Sequence, residues 1–144
     1  MSASLPKRRN PFKLRGFRDV NSEYVEKLAA AGIKTAGQML AAGQTVEKRA
    51  ALARDTGVPE EAILELVKLS DLARLPGVKG IRARLYYDGG VDCVEKMAAW
   101  VPEALLKMTA EFVERTGFDG IAPLPKEVSS TIANTKRLPR VVEY

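Results

Sequence analysis

The chain is written twice. Phe17-Arg18-Asp19-Val20-Asn21 through Gly32-Ile33 aligns without a gap on Leu75-Pro76-Gly77-Val78-Lys79 through Gly90-Val91, a shift of 58 residues. Apolar or small positions recur at that shift: Val20 with Val78, Val25 with Ala83, Leu28 with Tyr86, Met39 with Met97, Ala41 with Ala99. The register then slips by two, placing Ala50, Leu52, Thr56 and Gly57 on Ala110, Phe112, Thr116 and Gly117. A further slip of three brings Arg74-Leu75-Pro76-Gly77-Val78 onto Arg137-Leu138-Pro139-Arg140-Val141. A period of about 60 residues implies one supersecondary unit used twice, each half covering the other's apolar face. The expected division is 1–16 as an arm, 17–74 as the first repeat and 75–144 as the second.

Helical punctuation fills both halves. Asn21 and Ser22 can cap a helix ended by Gly32, and Thr35 precedes a short one that stops near Gly43. Thr45 opens a third, with Gly57 as its stop. Pro59, Glu60 and Glu61 suit the first turn of a fourth, which carries Ile63, Leu66, Val67, Leu69 and Leu72 at helical spacing. The second half predicts helices from Ile81 to Asp88, from Asp92 to Trp100, from Pro102 through Val113, and from Lys126 to Lys136. β-branched clusters bounded by hairpin turns are missing. The expected fold class is all-α, with two pseudo-repeated units packed as one bundle. Its expected core is Leu28, Met39, Leu52, Ile63, Leu66, Val67, Leu69, Leu72, Val78, Tyr86, Met97, Leu105, Phe112 and Ile132.

Charge is unevenly placed. Lys7, Arg8, Arg9, Lys13, Arg15 and Arg18 give residues 1–18 a local +6 with no Asp or Glu, out of a net charge of +5 for the chain. The basic balance therefore belongs to an N-terminal arm, which suits phosphate-rich partners because each contact releases condensed counterions. Pro6 and Pro11 oppose helix there, and few apolar residues need burial, so deletion of 1–15 is expected to spare folding. No apolar run approaches the roughly 18 residues of a membrane span, and no secretory signal is visible. The single cysteine, Cys93, excludes an internal disulfide and fits a reducing, cytoplasmic interior.

The phrase joining the fourth and fifth helices is Leu75-Pro76-Gly77-Val78-Lys79-Gly80-Ile81-Arg82-Ala83-Arg84-Leu85-Tyr86, followed by Gly90-Val91. The segment 75–90 resembles a helix-hairpin-helix motif. With Ala30-Ala31-Gly32-Ile33 and Asp71-Leu72-Ala73-Arg74, the doubled unit is similar to a bacterial and archaeal family of tandem helix-hairpin-helix proteins, itself a domain of unknown function. The likeness spans about residues 17–140. It implies a backbone clamp, in which Gly77, Val78, Lys79 and Gly80 bare amide groups to a phosphate oxygen. Arg82 and Arg84, one turn on, would grip adjacent phosphates. Lys79 stands where the family has its second hairpin glycine, with Gly80 displaced by one. Asp19 and Asn21 occupy the aligned positions of the first copy, and Arg140 one in the partial third. The alternative is that the hairpins are plain helix–helix corners.

Catalytic patterns are missing. The chain has no histidine, hence no imidazole base or His-ligated metal. Gly77-x-x-Gly80 lacks the Lys-Ser/Thr pair of a phosphate loop, and the strands a KH domain needs. Helix-hairpin-helix glycosylases carry a nucleophilic lysine where Ile81 stands. Glu60 and Glu61 are explained by the helix dipole, and Cys93, Tyr86, Tyr87 and Trp100 by packing. The expectation is a non-catalytic module without cofactor, metal or small-molecule substrate, binding nucleic acid through phosphates. DNA is favoured over structured RNA; a protein-interaction or scaffold module is the competing reading.

Overall fold

The computed structural model describes residues 10–144. Eight α-helices follow a 3-10 turn at Leu14–Gly16, and no strand is found among the described residues. They are α1 (Ser22–Ala30), α2 (Ala36–Ala42), α3 (Val46–Thr56), α4 (Glu60–Leu72), α5 (Gly80–Asp88), α6 (Val94–Ala98), α7 (Pro102–Thr116) and α8 (Pro125–Thr135). The starts follow the capping residues. The Asn21 side chain accepts from the amides of Glu23 and Tyr24, while Thr35 and Gln38 form a reciprocal capping box on α2. Gly57 and Gly117, both left-handed, end α3 and α7.

α4 is the axis of the molecule. It packs against α2, α3 and α5, while α8 packs against α6 and α7. Ile63, Leu66, Val67, Leu69 and Leu72 of α4 are buried, as their spacing predicts. One continuous core joins them to Leu28, Met39, Val78, Tyr86, Met97, Leu105 and Ile132. Leu52 packs only partly against this core, and Phe112 lies half-buried with its ring 6.2 Å from that of Phe118. Burial also takes in Leu14, Phe17, Leu75, Leu85 and Val142, none of which helical periodicity singles out.

Helix bounds recur along the chain. α5 begins and ends 58 residues after α1, α7 ends 60 after α3, and α8 ends 63 after α4. Left-handed residues recur too: Asp19 and Gly77, then Gly32 and Gly90, each 58 apart, and Gly57 and Gly117, 60 apart. Asp19, at φ 61°, is the non-glycine member of this set.

The segment before α1 departs from the expected tail. Lys7, Arg8 and Arg9 lie outside the described residues, but from Asn10 onward the chain is built into the fold. The amides of Gly37 and Ala36 donate to the carbonyls of Asn10 and Phe12, and the amide of Leu14 donates to that of Lys34. Lys13 and Thr35 form an isolated antiparallel bridge. Leu14 is fully buried and Phe17 nearly so, with Phe12 set edge-on against Phe17 at 5.0 Å. Deleting 1–15 would remove core, so the expectation that folding survives it is corrected.

Candidate nucleic-acid interface

The hairpin between α4 and α5 is a tight corner. The Val78 amide donates to Leu75 O at 3.0 Å, and Gly77 turns the chain at φ 81°. Val78 is buried beneath it, and Lys79 is exposed with its ammonium on the Ala73 carbonyl at 3.2 Å. Gly80 is buried, because a Cβ there would run into the carbonyl of Gly16. Its own carbonyl accepts from the Arg18 amide at 3.3 Å. Residues 12–18 thus lie across the start of α5, where the clamp would admit a phosphate.

The arginines beyond the hairpin are committed to internal partners. Arg82 forms a two-pronged pair with Glu127 at 2.6 and 3.0 Å and donates to Ile121 O. Arg84 is buried, paired with Glu65 at 2.8 Å and Asp88 at 3.3 Å, and donates to Arg18 O at 2.7 Å. Arg18 bonds the Asp119 carbonyl, sits 3.6 Å from its carboxylate, and covers the Phe118 ring at 5.8 Å. Bidentate guanidinium–carboxylate pairs and buried arginines hold their partners strongly. The expectation that Arg82 and Arg84 grip phosphates is therefore corrected: they staple α5 to α8 and α4. Sequence could not show this, because Glu127 and Glu65 are distant along the chain.

Free cations gather elsewhere. Lys13, Arg15 and Lys34 line one recess of about 280 Å³, with Val25 and Ala29 of α1 as its remaining wall. All three are exposed, and none forms an ion pair among the described residues. Residues 1–9 contain no Asp or Glu that could pair with them. The bridge between Lys13 and Thr35 sets the two basic segments side by side. Sequence reading passed over Lys34. The available signal was its place beside Gly32-Ile33, at the position that Asp92 fills in the second half.

Asp92 lies in a different environment. Burial pushes its carboxyl up, but the hydrogen bond from Lys68 at 2.6 Å and the ion pair with Lys96 at 2.9 Å outweigh this and hold it below the usual range. Next to it, Cys93 is buried at the start of α6, and burial pushes its thiol up, away from the thiolate a nucleophile needs. Among the described residues, no group of His, Cys, Asp and Glu could hold a metal ion. No helix there is long and apolar enough to cross a membrane.

A family model described as a domain of unknown function, DUF4332, matches residues 18–138. The chain belongs to that family. No curated protein and no solved structure matches it. The DUF4332 region covers the hairpin and all eight helices, and leaves Lys13 and Arg15 outside while including Lys34. The basic recess therefore straddles the edge of the DUF4332 match.

Proposed function

We propose that this DUF4332 chain is a non-catalytic, cytoplasmic nucleic-acid-binding module that contacts phosphates largely without regard to sequence. The observation that carries the reading is the recess of Lys13, Arg15 and Lys34, three cations without an ion pair among the described residues and with no carboxylate among the recess's lining residues. Lys7, Arg8 and Arg9 continue the same charge along the sequence. The Leu75-Pro76-Gly77-Val78 turn supports membership of the helix-hairpin-helix class, with the hairpin serving as a corner that fixes residues 12–18 in place. DNA is the favoured partner, and structured RNA is the second arm of the test.

Lys7, Arg8, Arg9, Lys13, Arg15 and Lys34 together set an upper bound of about six phosphate contacts and a log–log salt slope of about −5 on duplex DNA. A shift assay at low and moderate salt, with duplex DNA and folded RNA, measures this. Lys34→Ala is expected to weaken binding to all sequences alike and to flatten the slope by about 0.9. Failure to bind either nucleic acid at low salt overturns the reading.

One observation favours a second reading, a protein-interaction or scaffold module. Ile81, Ile121 and Leu124 are 44%, 81% and 67% exposed. The two isoleucines border a groove of about 660 Å³ beside the hairpin. Apolar side chains displayed together in this way are the raw material of a protein contact.

A further inference from the structure

The cationic recess does not stand alone. It borders a second cleft of about 380 Å³, and Arg15, Val25 and Ala29 line both. Val20 and Phe17 extend the apolar lining of this cleft, and Ser22 and Glu26 are its further polar residues. Lys13 and Lys34 therefore line only the first cleft, Ser22 and Glu26 only the second, while Arg15 and the apolar wall of Val25 and Ala29 are common to both.

A blunt duplex can use only part of this. Its phosphates face outward and reach the lysines, but its bases are stacked inside, so the apolar cleft stays wet. An unpaired strand can place a phosphate between Lys13 and Lys34 and turn the attached base or ribose against Val25 and Ala29. That step removes apolar surface from water on both partners. Glu26 repels a phosphate in the second cleft, while its carboxylate and the Ser22 hydroxyl can accept from exocyclic amino groups of a base. The polarity of the site is thereby fixed, with backbone at the lysines and base toward Glu26.

On the basis of the phosphate-binding reading, we infer that the paired clefts along α1 form a nucleotide subsite that selects unpaired strands over duplex. The cleft volume lies within the range of sites that enclose small ligands. Base specificity is weak, because the wall offers apolar surface and only two polar groups.

The test compares an unstructured single strand with a blunt duplex of equal phosphate count at one salt concentration, by fluorescence anisotropy with the full chain. The single strand is expected to bind about tenfold more tightly. Equal affinities, or tighter duplex binding, overturn this inference and leave the phosphate reading standing. Absence of binding to either overturns both. Ala29→Phe fills the cleft without changing charge and is expected to abolish the single-strand excess. Ala29→Met is the milder filling if the phenyl ring prevents folding. An undiminished excess in a folded variant removes the base from this cleft and overturns the assignment.

Discussion

Gly77 and Gly80 share one turn and are required for different reasons. Gly77 stands at φ 81° with no heavy atom within 4 Å of where a Cβ would project, so a side chain there strains the backbone alone. Gly80 has no such backbone demand, but a Cβ would strike the Gly16 carbonyl. Gly77→Ala is expected to cost about 1 kcal/mol and Gly77→Val about 1–3 kcal/mol. Gly80→Ala should cost about 2–3 kcal/mol by overpacking, the order to be read from urea midpoints. The turn at Gly77 was legible from Leu-Pro-Gly-Val. The need at Gly80 was not, because it is created by residues more than sixty positions earlier. Tyr86 adds a pH-dependent term. Its hydroxyl is buried beside Thr131 but not in hydrogen-bonding geometry, and burial pushes its pKa from 10.0 to about 12. The unfolded phenol ionises first, so the contribution is complete below pH 10 and is lost as pH rises toward 12. Tyr86→Phe should flatten the alkaline limb of a stability–pH curve and cost little at neutral pH.

At the scale of elements, the helices were the legible part. Capping residues, stop glycines and the α4 stripe placed all eight to within a few residues. The segment before α1 was misread because six cations and two prolines dominate its composition. Leu14 is a single apolar side chain with no periodic partner to reveal it, yet it is fully buried. Leu14→Ala is expected to cost about 2–5 kcal/mol, measured by thermal or urea unfolding. Removal of residues 1–15 should abolish the cooperative transition seen by circular dichroism. An unchanged transition would mean that residues 10–15 contribute nothing to the core. The cationic site was half legible for a related reason. Lys13 and Arg15 lie in a visible charge run, whereas Lys34 joins them only through pairing of residues 13 and 35.

The whole molecule is held by an exchange between its halves. Near one end, the Arg18 amide donates to Gly80 O at 3.3 Å, and Gly16 abuts Gly80. Near the other, the Glu143 amide donates to Gln44 O at 2.9 Å, and Arg49 donates to Glu143 O at 2.9 Å. Asp71 joins these parts. Its buried carboxylate accepts from Arg74 at 2.8 Å, from the Val94 amide at 3.0 Å and from the Tyr144 hydroxyl at 3.1 Å. Asp71→Ala is expected to cost about 3–5 kcal/mol, since it strands buried donors on α6 and Arg74. Tyr144→Phe removes one bond and should cost about 1 kcal/mol. Both are read from urea midpoints, and equal losses would show that Asp71 serves only Tyr144. The doubled pattern of the sequence predicts two like halves, and superposition of 17–72 on 75–135 measures how alike they are. It does not foretell the exchange, because the groups that cross over lie far apart in the sequence and only the fold brings them together.

That exchange has a consequence on the ribosome. Helices α1 to α4 are synthesised first, but the bonds that Glu143 and Tyr144 make to Gln44, Arg49 and Asp71 form only when the last residues emerge. At ordinary elongation rates this is roughly 4–14 s after α4. During that interval α4 can pack against α2 and α3, but a chain that stops before α5 lacks the cover that helix gives it. A stalled chain ending near residue 80 should therefore be cut by protease and held by chaperones, although every helix of its first half has been made.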